Sequence, residues 1–365
     1  MDNQSRVYFP QLDSIRGLSF LSVFFLHAYH PEFGQTFNGR MFQYFYENLN
    51  LSIDVFFVLS AFLLTMLGIN EYKAKGNFSF KNYFIRRVLR IWPLYYLLML
   101  FAFLIVPYVS TYLNVQVTLP PPNYYLFFIS NFYLEGHVYF LRFLWTLSVE
   151  EQFYLLLGGC LLLLQKNLRA CAIIFIGVSI LYTFYAIINK VHHDFNTITY
   201  LFDFGVGILA AVIVQSNSAI VVFFKTLDKK TSALFFMLLP LIFILFFVIS
   251  DKYFQGYSPW IDLMGRYVFV IYTGLFIIEQ MMNQQTLFKL KKNKFLIYTG
   301  RISYGLYCFH GIVLTFGNIV MEKTNLKIPG LLQALIFLTI NYLIASLSYQ
   351  FMEKPILRLS AKWRR

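Results

Sequence analysis

The chain has 365 residues, 58% of them apolar or aromatic and only 13% charged, where a soluble domain carries about 45–50% and about 25%. Aromatic side chains alone reach 20%, with 43 Phe and 27 Tyr, which excludes disordered, collagen-like and disulfide-scaffold classes and exceeds what one water-facing core could hide. A net charge of +13 would suggest nucleic acid in a soluble protein; in a chain this apolar it reads as basic loops gathered on one face of a membrane, and no nucleic-acid partner is expected.

A helix needs about 20 mostly apolar residues to cross a bilayer. Ten such spans are predicted, at roughly 12–30, 51–69, 88–109, 144–164, 169–189, 197–215, 232–250, 260–281, 296–319 and 330–352. The fold class is therefore all-α, a polytopic transmembrane helix bundle. The whole chain, 1–365, reads as a single membrane-embedded domain with a short tail at 353–365, and no large soluble domain is expected at either end.

The first span holds Asp13, Arg16 and His27. These interruptions, with no small-residue cleavage site after them, argue against a signal peptide. Eleven residues at about 100° each are three turns plus roughly 20°, so Arg16 and His27 share one helix face about 16 Å apart along the axis. Each alone could be a snorkelling cation or a satisfied histidine; sharing a face, they point to a polar path through the membrane. His30 reads as interfacial. The second span carries Asp54 and Ser60.

The third span opens on Arg86-Arg87-Val88-Leu89-Arg90. Arg87 and Arg90, three apart, are neighbours on one face, and paired guanidinium forks at a helix start suit a diphosphate such as that of coenzyme A, although anionic lipid would attract the same charges. Between spans three and four, about 110–143, lie Pro120-Pro121-Pro122 and many tyrosines. Within it Tyr124–Leu134 is too short to cross and is expected to be re-entrant or interfacial; the region could serve as a lid or an acceptor-facing element.

Trp145-Thr146-Leu147-Ser148-Val149-Glu150-Glu151-Gln152-Phe153-Tyr154 opens the fourth span. Thr146, Glu150 and Tyr154 follow an i, i+4, i+8 line, while Ser148, Glu151 and Gln152 form a second polar edge. Glu151 is expected to face external water. Glu150 is expected to orient either a membrane histidine, stabilising the imidazolium formed when it takes a proton, or an acceptor hydroxyl.

Asp203 lies in a Phe202–Gly207 stretch whose two glycines read as close helix packing, since no strand precedes them to make a nucleotide loop. Asp262 and Glu279 sit in the eighth span. The ninth carries Arg301-Ile302-Ser303-Tyr304-Gly305-Leu306-Tyr307-Cys308-Phe309-His310, whose histidine lies near mid-depth and either lines the same cavity as His27 or is a core histidine.

With the N-terminus inside, 21 of the 30 Lys and Arg fall on inside segments and seven on outside ones, with Arg16 and Arg301 near inner span ends. This bias supports ten spans with both termini cytoplasmic. Cys160, Cys171 and Cys308 show no CxxC spacing, which argues against a disulfide framework or a zinc site, and no metal is expected.

The stretches LDSIRGLSFLSVFFLH, DVFFVLSAFLLT, RRVLRIWPLY, LWTLSVEEQFY, ISYGLYCFH and the terminal Tyr349…Glu353-Lys354-Pro355, in this order from residue 11 to about 358, resemble the integral-membrane acyltransferase-3 family, the O-antigen O-acetylase type. The resemblance departs at Ala61, where glycine is usual, and at Phe309, where tryptophan is commoner.

The resemblance implies transfer of an acyl group, most often acetyl, from cytoplasmic acyl-CoA to a hydroxyl of an extracytoplasmic carbohydrate or glycolipid. Acyl-CoA is then a substrate, no permanently bound cofactor is expected, and membrane lipids are the surroundings. A bacterial inner membrane is the implied location. Arg16 and His27, Arg87 and Arg90, Glu150 and His310 match residues of the family's motifs, the arginine pair being associated with the acyl donor. The expected site then has His27, Glu150, His310 and Arg16 as catalytic residues and Arg86, Arg87 and Arg90 as donor-binding ones, with Asp13, Ser60, Trp145, Glu151 and Tyr154 as possible support. His27 would act as general base or carry a transient acyl-imidazole; the sequence leaves both routes open. A proton-coupled transporter or flippase using His27, Glu150 and His310 as a relay is the rival reading, although no repeated halves are visible. An assembly scaffold is a third.

Overall fold

The structure is a computed structural model that describes residues 8–113, 117–133, 139–163, 167–254, 258–359 and 363. Arg6, Leu134, Lys166, Lys362, Arg364 and Arg365, which enter the charge and span readings above, lie outside the described residues. Among the described residues there are helices and no strands.

All ten expected spans form helices. They begin with α1 (Pro10–Ala28), the short α2 (Phe37–Glu47), α3 (Ser52–Lys75) and α4 (Phe80–Leu100), which runs through a π turn at Phe101–Ile105 into α5 (Val106–Leu113). Two short pieces, α6 (Pro122–Leu126) and α7 (Tyr139–Arg142), precede α8 (Trp145–Leu163), α9 (Leu168–Ile188) and α10 (Thr197–Val214). The small α11 (Ala219–Thr226) leads to α12 (Lys229–Tyr253) and α13 (Pro259–Met282). The last group is α14 (Lys294–Arg301), α15 (Ser303–Lys323), α16 (Gly330–Ser348) and, after a π turn at Tyr349–Glu353, α17 (Lys354–Leu359).

Nine helical stretches among the described residues are long and apolar enough to cross a membrane. The tenth expected span, α1, is not in that set, because Asp13, Arg16, His27 and its serines dilute its apolar run. It is nonetheless an interior helix: Leu12, Phe20, Val23 and Phe24 are buried. A helix that is polar for a lipid environment is tolerated where other helices surround it.

The ends are set by local chemistry. Ser79, Asp228 and Asn293 accept the backbone N–H of Asn82, Thr231 and Leu296 to cap α4, α12 and α14, satisfying N–H groups that the first turn leaves without partners. Gly76, at φ 73°, closes α3 in the left-handed conformation. The ninth span is two helices rather than one: the chain breaks at Ile302 between α14 and α15.

Close approach of backbones packs α1 onto α14. A Cβ at Gly17 would lie 2.5 Å from the Leu296 carbonyl oxygen, and one at Gly300 would overlap the Asp13 carbonyl. Gly207 likewise rests on the Val58 carbonyl of α3, as the small-residue reading of that stretch expects. The outward faces carry Leu104, Leu163, Leu181 and Leu234, which suits contact with lipid rather than water.

Candidate active site

Five helices bring polar side chains into one cavity of about 90 Å³ inside the bundle. α1 contributes Arg16, α3 Ser60, α4 Arg87 and Arg90, and α8 Thr146, Glu150 and Tyr154; α15 adds Ser303, Tyr304 and Tyr307. Helical periodicity produces this directly. Arg87 and Arg90 project together because they are three apart, and the i, i+4, i+8 line of α8 turns all three members toward the same space.

Glu150 is held from two sides, accepting from the Ser60 hydroxyl at 2.8 Å and from the Tyr154 hydroxyl at 3.0 Å. Arg16 lies 3.5 Å from Asp13, and its other charged neighbours are Arg90 and Glu150. Three guanidinium groups and one carboxylate line the cavity, so it is electropositive; Arg87 Nε is buried without a hydrogen-bond partner among the described residues. A buried donor without a partner is costly, and an anionic ligand would satisfy it.

Beside this cavity stand the two membrane histidines. The His27 and His310 rings lie 5.7 Å apart and nearly parallel, and the Phe143 ring sits 4.5 Å from each. His310 is fully buried. Its Nδ1 meets the Tyr307 carbonyl oxygen at 2.5 Å, and because a carbonyl only accepts, Nδ1 carries the hydrogen and Nε2 is left as a lone pair. That Nε2, like His27 Nδ1, has no partner among the described residues. Tyr307 joins the two compartments: its hydroxyl contacts Thr146 Oγ1 at 2.7 Å on the cavity wall and the Phe143 carbonyl at 2.5 Å, while its own carbonyl fixes His310.

A family profile described as an acyltransferase domain matches residues 9–350, which takes in both the arginine cavity and the histidine pair. The chain belongs to the acyltransferase-3 family. It is 27% identical over 96% of its length to the peptidoglycan O-acetyltransferase OatA of Listeria monocytogenes serovar 1/2a, covering 56% of that protein. It is 29% identical over 98% of its length to a protein named putative O-acetyltransferase in Staphylococcus aureus strain COL, covering 59% of it. For the putative peptidoglycan O-acetyltransferase YrhL of Bacillus subtilis strain 168 the values are 26%, 97% and 55%. The chain thus spans a little over half the length of these relatives. No solved structure matches.

Within this acyltransferase-3 chain, several sequence expectations need correction. Glu150 does not reach His27; its oxygens are taken by Ser60 and Tyr154, on the cavity side of Tyr307. Glu151 does not face external water. It is 5% exposed, because the next position of α8 turns it into the α4 interface, where Trp92 Nε1 donates to it at 3.4 Å. Arg86 lies outside the cavity: it pairs with Glu71 at 2.9 Å and donates to the Trp363 carbonyl. Trp145 is also outside it, packed at 4.9 Å on Phe195 and 5.4 Å on Tyr200.

Other buried charges belong to the scaffold. Arg266 ties Asp54 to Asp203, and Glu279 accepts from Ser232, Gln280, Asn283 and Thr286. The sequence reading missed Tyr304 and Tyr307 as lining residues; their spacing of three within the ninth-span motif was the available signal. Glu353, noted in the sequence only as part of the terminal motif, is buried, with an oxygen that a Cβ at Gly305 would approach to 2.9 Å. Among the described residues no group of three or more His, Cys, Asp or Glu converges as a metal site.

Proposed function

We propose that this chain is a membrane O-acyltransferase that moves an acyl group, acetyl in the first instance, from acyl-CoA on the cytoplasmic side to a hydroxyl of an extracytoplasmic carbohydrate. The observation that carries this reading is the junction, through Tyr307, of an electropositive cavity holding Arg16, Arg87 and Arg90 with a histidine pair in which His27 Nδ1 and His310 Nε2 have no partner among the described residues. The names of the relatives, O-acetyltransferases, two of them of peptidoglycan, agree with it.

Arg87 and Arg90 hold the phosphates of the donor, and Arg16 draws the pantetheine arm inward. Glu150, held by Ser60 and Tyr154, limits the excess positive charge and keeps the cavity polar. The acceptor oxygen attacks the thioester carbonyl; a histidine removes the hydroxyl proton, the C–S bond breaks, and the proton passes to the leaving thiolate. His27 is the base, or the transient acyl carrier, and His310 with its fixed tautomer is the second acid/base. Glu150 takes no part in orienting His27.

The test uses purified protein in liposomes, wild type beside His27→Ala, with radiolabelled acetyl-CoA and an envelope polysaccharide extract. Free thiol and labelled polysaccharide should appear together, and only with wild type. Neither signal with acetyl-CoA or with longer acyl-CoAs would sink the reading and favour movement of an intact solute.

A further inference from the structure

We propose that a recess at the histidine end of the bundle is the acceptor subsite and that it takes a carboxylate-bearing pyranose. This rests on the acyltransferase reading above and names the substrate class of that reaction. The recess, about 30 Å³, is lined by Tyr125, Ser130, Tyr133, Arg142, Trp145 and Phe195. A space of that size admits a substituent rather than a whole ring, so a sugar would lie over the aromatic rim and push one group inward. Aromatic walls with few polar groups are how small-ligand sites combine contact area with orientation.

Position makes it an acceptor site. Arg142 is followed directly by Phe143, whose ring touches both histidines, and Arg142 is a charged neighbour of His27, as His30 and His310 are titratable ones. Charge selects the ligand. Two other arginines of the outward-reading segments are engaged, Arg40 with Asp251 and Arg266 with Asp54 and Asp203. Arg142 is exposed and makes no ion pair or hydrogen bond among the described residues. Its planar fork matches a carboxylate through two parallel hydrogen bonds.

The recess is also built in advance. Its floor is irregular chain, yet that chain is pinned. Gln152 Nε2 donates to the Phe128 carbonyl at 2.9 Å and to Asn131 Oδ1 at 2.8 Å. Asn131 donates to the Phe195 carbonyl and to Thr197, and the Ser130 and Ser148 hydroxyls meet at 2.8 Å. The Tyr95 hydroxyl donates to the Tyr125 carbonyl at 2.7 Å. Phe128 sits at φ 54°, a left-handed backbone that a bulky residue keeps only when its surroundings over-determine it. A loop fixed this firmly on α8 and α10 suits recognition rather than simple connection.

The test measures binding by the full chain in detergent of two hexasaccharides, a neutral N-acetylglucosamine hexamer and a hyaluronan hexamer whose alternate rings carry carboxylates. Wild type should bind the carboxylated hexamer at least about tenfold more tightly. Arg142→Gln should erase the preference and Arg142→Lys should retain part of it; the exposed site leaves folding intact, checked by gel filtration. Equal affinities, no binding, or a preference that survives Arg142→Gln would overturn the proposal. Acetyl transfer to the envelope extract is assayed in parallel. Loss of transfer by wild type with the preference intact counts against the enzyme, whereas transfer without the preference counts against the subsite alone.

Discussion

At the scale of single residues, the arginines of the cavity and the two histidines occupy neighbouring compartments, and the proposed reaction gives them different kinetic signatures. General base catalysis contributes about 10²–10⁴-fold, so His27→Ala should lower kcat by that order while the protein still elutes as wild type. A folded His27→Ala with full activity would remove it from the chemistry. Arg87 and Arg90 predict a different signature. Hydrogen bonds to charged groups are worth about 1.5–3 kcal/mol, so each Ala variant should raise KM for acetyl-CoA about tenfold or more and change kcat less. Arg86→Ala is the internal control, because Arg86 pairs with Glu71 rather than lining the cavity; its KM should stay within about twofold. If all three variants shift KM alike, the charges act as a surface field and not as a phosphate cradle.

At the scale of elements, the two site compartments depend on where α1 sits, since it carries both Arg16 and His27. The contact of Gly300 with the Asp13 carbonyl sets that position. Overpacking costs about 1–3 kcal/mol, so Gly300→Ala should lower Tm by several degrees and lower acetyl transfer with it. Gly177→Ala in α9, where a Cβ meets nothing within 4 Å, should be neutral or slightly stabilising. Equal effects of the two would discount the α1–α14 contact. Most of this level was readable beforehand. Runs of about 20 apolar residues carry their own signal, and the 3.6-residue repeat placed Arg87 with Arg90 and Thr146 with Glu150 and Tyr154. The break at Ile302 was missed: the ninth span reads as one helix across Thr299-Gly300-Arg301 and Ser303, the polar and small residues that mark where α14 ends and α15 begins. The destinations of Glu151 and of Gln152 were not readable: each depends on a partner contributed by another part of the chain, Trp92 for one and Phe128, Asn131 and Thr197 for the other. Periodicity tells which face a residue shares, not what stands opposite.

At the scale of the molecule, the alternation of spans gives the two ends different chemistry. Lys73, Lys81, Lys225, Lys230, Lys291 and Lys354 gather at the end where Arg87 enters the bundle, whereas Lys190, Lys252, Lys323 and Lys327 belong to the end near His27 and Arg142. Basic residues concentrate on the cytoplasmic side, and acyl-CoA is made there, so the arginine cavity and the lysine-rich end must share a side for the proposed donor to reach its site. Single cysteines test this. In a background with Cys160 replaced by Ser, and Cys171 and Cys308 left buried, Lys327→Cys should react with a membrane-impermeant maleimide on intact cells. Lys291→Cys should react only after the membrane is opened. The reverse pattern would turn the arginine cavity to the outside, and no acyl-CoA pool would face it. The predicted pattern instead leaves the histidine pair and the Arg142 recess toward the external side, about 16 Å along α1 from Arg16 by helical rise. A hydrocarbon core is about 30 Å thick. The donor arm would then cover part of that depth through the bundle interior, and the sugar would meet it without entering the membrane.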